Sequence, residues 1–177
     1  MKRILGVAAM AVVLTACSSE TDADTDGDGT VSQEEMAAAA QDAIKPEPGQ
    51  YRSTVKMVEV DIPGAPPEAV EMMQSGMGEQ TQESCMTEED AAKGFEEMAK
   101  GTQNGDCTTN KFVVNGGDID AEMTCAVPGQ GEMKMTMDGS GTSTSMDMTM
   151  TMEGEIPGMG DARMVMNVQS ERIGDCS

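Results

Sequence analysis

Methionine returns at every second position through three stretches of the C-terminal half. These are Met133-Lys134-Met135-Thr136-Met137, Met146-Asp147-Met148-Thr149-Met150-Thr151-Met152 and Met164-Val165-Met166-Asn167-Val168. A period of two belongs to a strand, whose successive side chains point to opposite faces, so every methionine of a stretch shares one face. The first reading of that face is a core, because thioether chains are flexible and fill space loosely. A face that soft also suits an adaptable pocket for an acyl chain or another apolar ligand. A third reading is capture of Cu(I) or Ag(I) by Met-x-Met pairs, since soft sulfur suits those ions. Residues two apart on a strand are about 6.7 Å apart, so neighbouring strands would have to complete such a site.

Composition narrows the functions. The 177 residues include 32 Asp and Glu against 11 Lys and Arg, no His, 20 Met, and only Tyr51, Phe95 and Phe112 as aromatics. Without His there is no Ser-His-Asp triad, no Cys-His pair and no imidazole metal site. A net charge of −21 leaves no counterion-release term for nucleic acid, and three aromatics give stacking almost nothing to work with. Acid pairs abound, as in any chain this acidic, but no base or nucleophile stands in a recognisable context. The expectation is a protein that is not an enzyme.

The N-terminus reads as an address. Lys2 and Arg3 precede an apolar stretch, Ile4 to Leu14, too short to span a bilayer. It ends in Leu14-Thr15-Ala16-Cys17, which resembles the bacterial lipobox. The resemblance implies that residues 1–16 are a signal peptide and that Cys17 carries a diacylglycerol and an N-acyl chain. Three acyl chains exceed the two signals stable anchoring needs, so the protein would be held on a membrane without crossing it. Ser18 follows the cysteine, where Asp is the familiar inner-membrane retention signal. The expected address is therefore the outer membrane facing the periplasm in preference to the inner membrane.

Residues 17–47 form an acidic stalk containing Asp24-Thr25-Asp26-Gly27-Asp28-Gly29-Thr30-Val31-Ser32-Gln33-Glu34-Glu35. This run resembles the twelve-residue EF-hand loop at every diagnostic position. Asp24, Asp26 and Asp28 would offer carboxylates at positions 1, 3 and 5. Gly29 permits the sharp turn at position 6, and Thr30 would give its backbone carbonyl. Val31 stands at position 8, where an apolar residue pairs with a second loop. Ser32 could act through water, and Glu35 would give two oxygens. Hard, charged oxygen donors suit Ca²⁺. The departures are the missing entering helix and the missing second loop, so the unit is closer to the calcium loop of dockerin modules, with expected affinity of roughly 10⁻⁴ to 10⁻³ M. Ser32 to Glu35 is also a capping box, which accounts for those two residues without calcium. A helix is expected over 33–45, stopped by Pro46-Glu47-Pro48-Gly49.

From residue 48 a β-domain begins. Strands are expected over Tyr51 to Ile62, Gln82 to Met86, Thr108 to Val114, Ile119 to Ala126, Glu132 to Asp138, Thr144 to Glu153 and Ala162 to Arg172. The first slips its alternation between Met57 and Val58, which marks a bulge. Asn115-Gly116-Gly117-Asp118 is a hairpin signal. A helical patch covers Pro67 to Gln74, and Thr87 caps a helix running to about Lys100. The expected fold is mainly β: an antiparallel meander of about seven strands, a small barrel or a curved sheet, with one packed helix and a short helix in the stalk.

Cys17 aside, Cys85, Cys107, Cys125 and Cys176 remain, and in an oxidising compartment four suggest two disulfides with three possible connectivities. The expected pairs are Cys85–Cys107, stapling the helical excursion between them, and Cys125–Cys176, tying the chain end to the sheet. Each would contribute about 3 kcal/mol.

Pro48-Gly49-Gln50-Tyr51, then Cys85-Met86-Thr87-Glu88-Glu89-Asp90-Ala91, Cys107, Met123-Thr124-Cys125 and Arg172-Ile173-Gly174-Asp175-Cys176 together resemble the bacterial "domain of unknown function 3617" family over about residues 46–177. Tyr51 stands where members commonly have Trp. The resemblance implies a small secreted or lipid-anchored β-rich domain and carries no activity with it. The expected function is a non-enzymatic, calcium-binding envelope lipoprotein. The alternatives are a periplasmic carrier or sensor of an apolar ligand, and Cu(I) or Ag(I) handling.

Overall fold

The computed structural model describes residues 22–76, 78–93, 106–129 and 131–177. The expected signal peptide, lipidated Cys17 and the second half of the helix expected to run to Lys100 lie outside the described residues. No helix among the described residues is long and apolar enough to cross a membrane.

Seven strands are described: β1 (Gly49–Asp61), β2 (Glu79–Met86), β3 (Asp106–Asn115), β4 (Asp118–Val127), β5 (Gly131–Gly141), β6 (Ser145–Ile156) and β7 (Gly160–Gly174). They form one sheet in the order β2-β1-β7-β6-β5-β4-β3, with every neighbour antiparallel. The sheet is open, not a closed barrel, with β2 and β3 at its edges. From β3 to β7 the chain meanders through short turns, and β7 then lies beside β1, the first strand. Helix α1 (Gln33–Ala39) precedes the sheet and α2 (Pro67–Gly76) connects β1 to β2. A further helix begins at residue 88 and is described to 93.

The alternation in the sequence becomes two opposed faces. Cross-strand register aligns the methionines in rows. Met123, Met135, Met152 and Met164 run across β4, β5, β6 and β7. Met137, Met150, Met166 and Met57 run across β5, β6, β7 and β1. Between them, pointing the other way, stand Thr136, Thr151 and Val165, and further along Asp138, Thr149 and Asn167. The bulge in β1 falls where the alternation slips. The register shifts between Met57 and Glu59, and the extra residue, Val58, is 59 % exposed. The extra residue restores the phase, so Val60 again meets Met164 on the methionine face. Gly139 lies in the same face opposite Met148. A Cβ there would stand 2.4 Å from the Asp147 carbonyl oxygen, so only glycine lets β5 and β6 approach as they do.

Two apolar clusters cover the methionine face. Ala23, Val31 and Met36 from the N-terminal segment pack with Phe112, Ala121, Met123, Met137 and Met148. Val60, Ile62 and Ala162 form the second cluster, against which Val70 and Met73 of α2 pack. Residues 22–44, expected as part of a stalk ahead of the β-domain, thus lie on the sheet. The linker after them is tied down as well: the Glu47 amide donates to the Ser143 carbonyl at 2.7 Å, and the Tyr51 hydroxyl donates to the Glu47 carbonyl at 2.8 Å. The helix expected to reach Lys45 ends sooner, at Ala39 with one 3₁₀ turn to Asp42. Its chain must turn extended at Ala43 for the Ile44 amide to reach the Gly116 carbonyl in the β3–β4 turn.

The disulfide expectation is corrected. The bridges are Cys85–Cys176 and Cys107–Cys125, not Cys85–Cys107 and Cys125–Cys176. Cys107 and Cys125 are direct partners in the β3–β4 hairpin. Gln50 pairs with Cys85 on one side and Gly174 on the other, so β1 brings the end of β2 and the chain terminus together. Stapling the connection between β2 and β3 would require Cys85 and Cys107 to meet from opposite edges of the sheet.

Candidate metal centre

The acidic run folds as a tight loop organised by its own carboxylates. Asp24 accepts from the amides of Gly27 at 2.7 Å and Gly29 at 3.0 Å, one on each oxygen. Asp28 accepts from the Thr30 amide and hydroxyl at 2.8 and 2.7 Å. Gly29, at φ +85°, takes a left-handed conformation with open space around it, so the glycine is needed for its backbone and not for room. The outcome is that Asp24, Asp26 and Asp28 each offer a carboxylate oxygen, all within 4.8 Å of one another. That is the donor chemistry of a hard divalent cation: several oxygens, anionic, on one centre.

Glu35 closes the loop from the helix side. One oxygen accepts from the Thr25 amide and hydroxyl at 2.8 and 2.6 Å; the other accepts from the Ser32 amide and hydroxyl at 2.9 and 2.8 Å. The Ser32 hydroxyl in turn accepts from the Glu35 amide, completing the capping box at the start of α1. The Thr25 hydroxyl above all, and then the Ser32 amide, pull the Glu35 carboxyl down to about 2, so it is an anion at neutral pH. Loop position 12 is thus linked to position 2 and to the helix cap at once. The Ser32 hydroxyl is engaged in that cap, and Thr30 packs its amide and hydroxyl on Asp28.

The loop has a partner far away in the sequence. Val31, at position 8 and 5 % exposed, donates its amide to the Thr109 carbonyl of β3 at 2.8 Å. Ala23, just before position 1, donates to the Phe112 carbonyl at 2.9 Å. Both acceptors lie on the outer edge of β3. They are three residues apart because the strand bulges, with its register slipping between Thr109 and Lys111. A sheet edge therefore stands where a second loop would pair with Val31. The signals that point to it are Val31 itself and Met36, large apolar side chains that follow the acidic run and are buried in the structure.

The opposite face of the sheet holds a depression of about 600 Å³ lined by Lys111, Asp118, Asp120, Asp138 and Asp147, among others. Two of these acids are engaged: Asp120 pairs with Lys111, and Asp147 accepts from Asn167 and Gln169.

A family model described as "Protein of unknown function (DUF3617)" matches residues 46–176. No curated protein and no solved structure matches the chain.

Proposed function

Because the chain belongs to the DUF3617 family through residues 46–176, whose description assigns no activity, we propose its function from the segment ahead of that match. It is a non-enzymatic envelope lipoprotein, anchored through Cys17 and facing the periplasm from the outer membrane, that binds one Ca²⁺ in the loop 24–35. Asp24, Asp26 and Asp28 supply carboxylates, Thr30 its carbonyl, Ser32 a water-mediated contact, and Glu35 both oxygens once calcium displaces Thr25 and Ser32 from them.

The observation that carries this reading is the Val31–Thr109 hydrogen bond. A lone EF-hand loop lacks the partner that steadies position 8. The β3 edge supplies one, so the loop is held in shape before the ion arrives and less ordering accompanies binding. Calorimetry on the full mature chain tests it. Saturable Ca²⁺ heat at submillimolar to millimolar concentration, absent from Asp24→Ala/Glu35→Ala, supports the reading. No heat, or the same heat in the variant, sinks it. Palmitate labelling that survives Cys17→Ser would separately remove the anchor.

A further inference from the structure

The methionine face carries more sulfur than a core needs. Met150 and Met152 on β6 stand directly opposite Met166 and Met164 on β7, so the four methionines mark the corners of one near-square on one face. All four are half-buried. Direct cross-strand partners have Cβ atoms about 5 Å apart, and alternate residues on a strand about 6.7 Å apart. The centre is then about 4 Å from every Cβ and a point ~3 Å above it about 5 Å, which a flexible side chain with its sulfur two bonds further out can reach through a metal–sulfur bond.

A core face is served better by other residues. Val and Ile favour strands, and Leu or Ile loses roughly half the rotamer entropy that Met loses on burial. Neither cover seals this square: Met150 packs against the cluster of the N-terminal segment and Met164 against that of α2, while Met152 and Met166 belong to neither cluster. The four described cysteines are all in disulfides, so thioethers are the only soft donors among the described residues. The strongly acidic chain also draws cations towards itself.

We propose that Met150, Met152, Met164 and Met166 form a soft-metal site that takes one monovalent d¹⁰ ion, Cu(I) or Ag(I). Thioether sulfur selects such ions and ignores Ca²⁺, so this site and the oxygen loop hold different metals and stand or fall separately. Binding involves no redox step; the ion arrives and leaves in one oxidation state.

The test uses the full mature chain with Ag(I), and with Cu(I) under anaerobic conditions against a chromogenic chelator. The expected result is one ion per chain. Affinity should fall at least tenfold in Met150→Leu/Met166→Leu and in Met152→Leu/Met164→Leu. It should be unchanged in Met72→Leu/Met159→Leu, which alters exposed methionines outside the square. On the unaltered protein with ¹³C-methyl-methionine, Ag(I) should move four methyl resonances, assigned to these residues, before any others. No competition with the chelator, wild-type affinity in both double variants, or shifts confined to other methionines would overturn the proposal.

Discussion

Cys107 stands directly opposite Cys125 in the β3–β4 ladder, with Cα atoms 3.9 Å apart, while Cys85 reaches Cys176 across the start of β1. Non-reducing peptide mapping should recover these two bridges. Their loops span 18 and 91 residues. In the chain-entropy picture, that makes them worth about 3 and about 4.5 kcal/mol. Denaturant melts of Cys107→Ser/Cys125→Ser and Cys85→Ser/Cys176→Ser should show the second pair losing more.

The N-terminal segment is part of the core. Met36 is buried against the sheet, so Met36→Ala should lower stability by about 2–3 kcal/mol. A substitution in a detached stalk would leave the melt unchanged. A chain beginning at residue 46 should uncover Phe112, Met123 and Met137 and bind a hydrophobic dye that the longer chain does not.

Calcium should be felt in β3. Ala23 and Val31 donate to the Phe112 and Thr109 carbonyls. Ion binding between those two anchors should therefore slow hydrogen exchange at both amides, and by reciprocity a weakened β3 edge should lower calcium affinity. Exchange measured with and without millimolar Ca²⁺ reads this directly.

The single tyrosine offers a clean titration, since the chain has no tryptophan. Burial raises the Tyr51 phenol above its usual 10, with Arg172 opposing and Glu47 adding to the shift. Ultraviolet absorbance should show a phenolate midpoint above pH 10 in the folded protein. Because the folded form holds the proton longer, the stability Tyr51 contributes is complete below pH 10 and is lost as pH rises through the raised value.

Gly139→Ala should destabilise by about 1–3 kcal/mol, because the new methyl meets the backbone of Asp147 and Met148. Gly76→Ala, at the end of α2 with open space around it, is the control and should be neutral to mildly stabilising.

Much of the fold is written in local pattern. Alternation marks the methionine strands, the slip at Met57 marks the β1 bulge, and Asn115 to Asp118 marks the hairpin; β2, wholly polar from Glu79 to Ser84, has no alternation and begins three residues before the expected Gln82. Each of these marks is decided by a few consecutive residues. Pairings between distant segments are not. Nothing near Cys176 says that its strand will lie beside β1, and nothing in the acidic run says that Val31 will find Thr109. The loop's shape follows from Asp24, Asp28 and Gly29; its docking follows from a bulge in β3 some eighty residues on.

That docking has a consequence for how the chain behaves in company. An open sheet has two bare margins, and each can recruit another chain strand by strand. On β2 the exposed run from Glu79 to Cys85 sets charge along that margin: Glu79, and Glu83 paired with Arg52 of the neighbouring strand, the kind of residue that discourages edge pairing. On β3 the amides of Ala23 and Val31 already occupy two of the outward carbonyls, those of Phe112 and Thr109. The N-terminal segment therefore shields this margin, and a chain clipped between Val31 and Gly49 would leave the Thr109 and Phe112 carbonyls open to a strand from another chain.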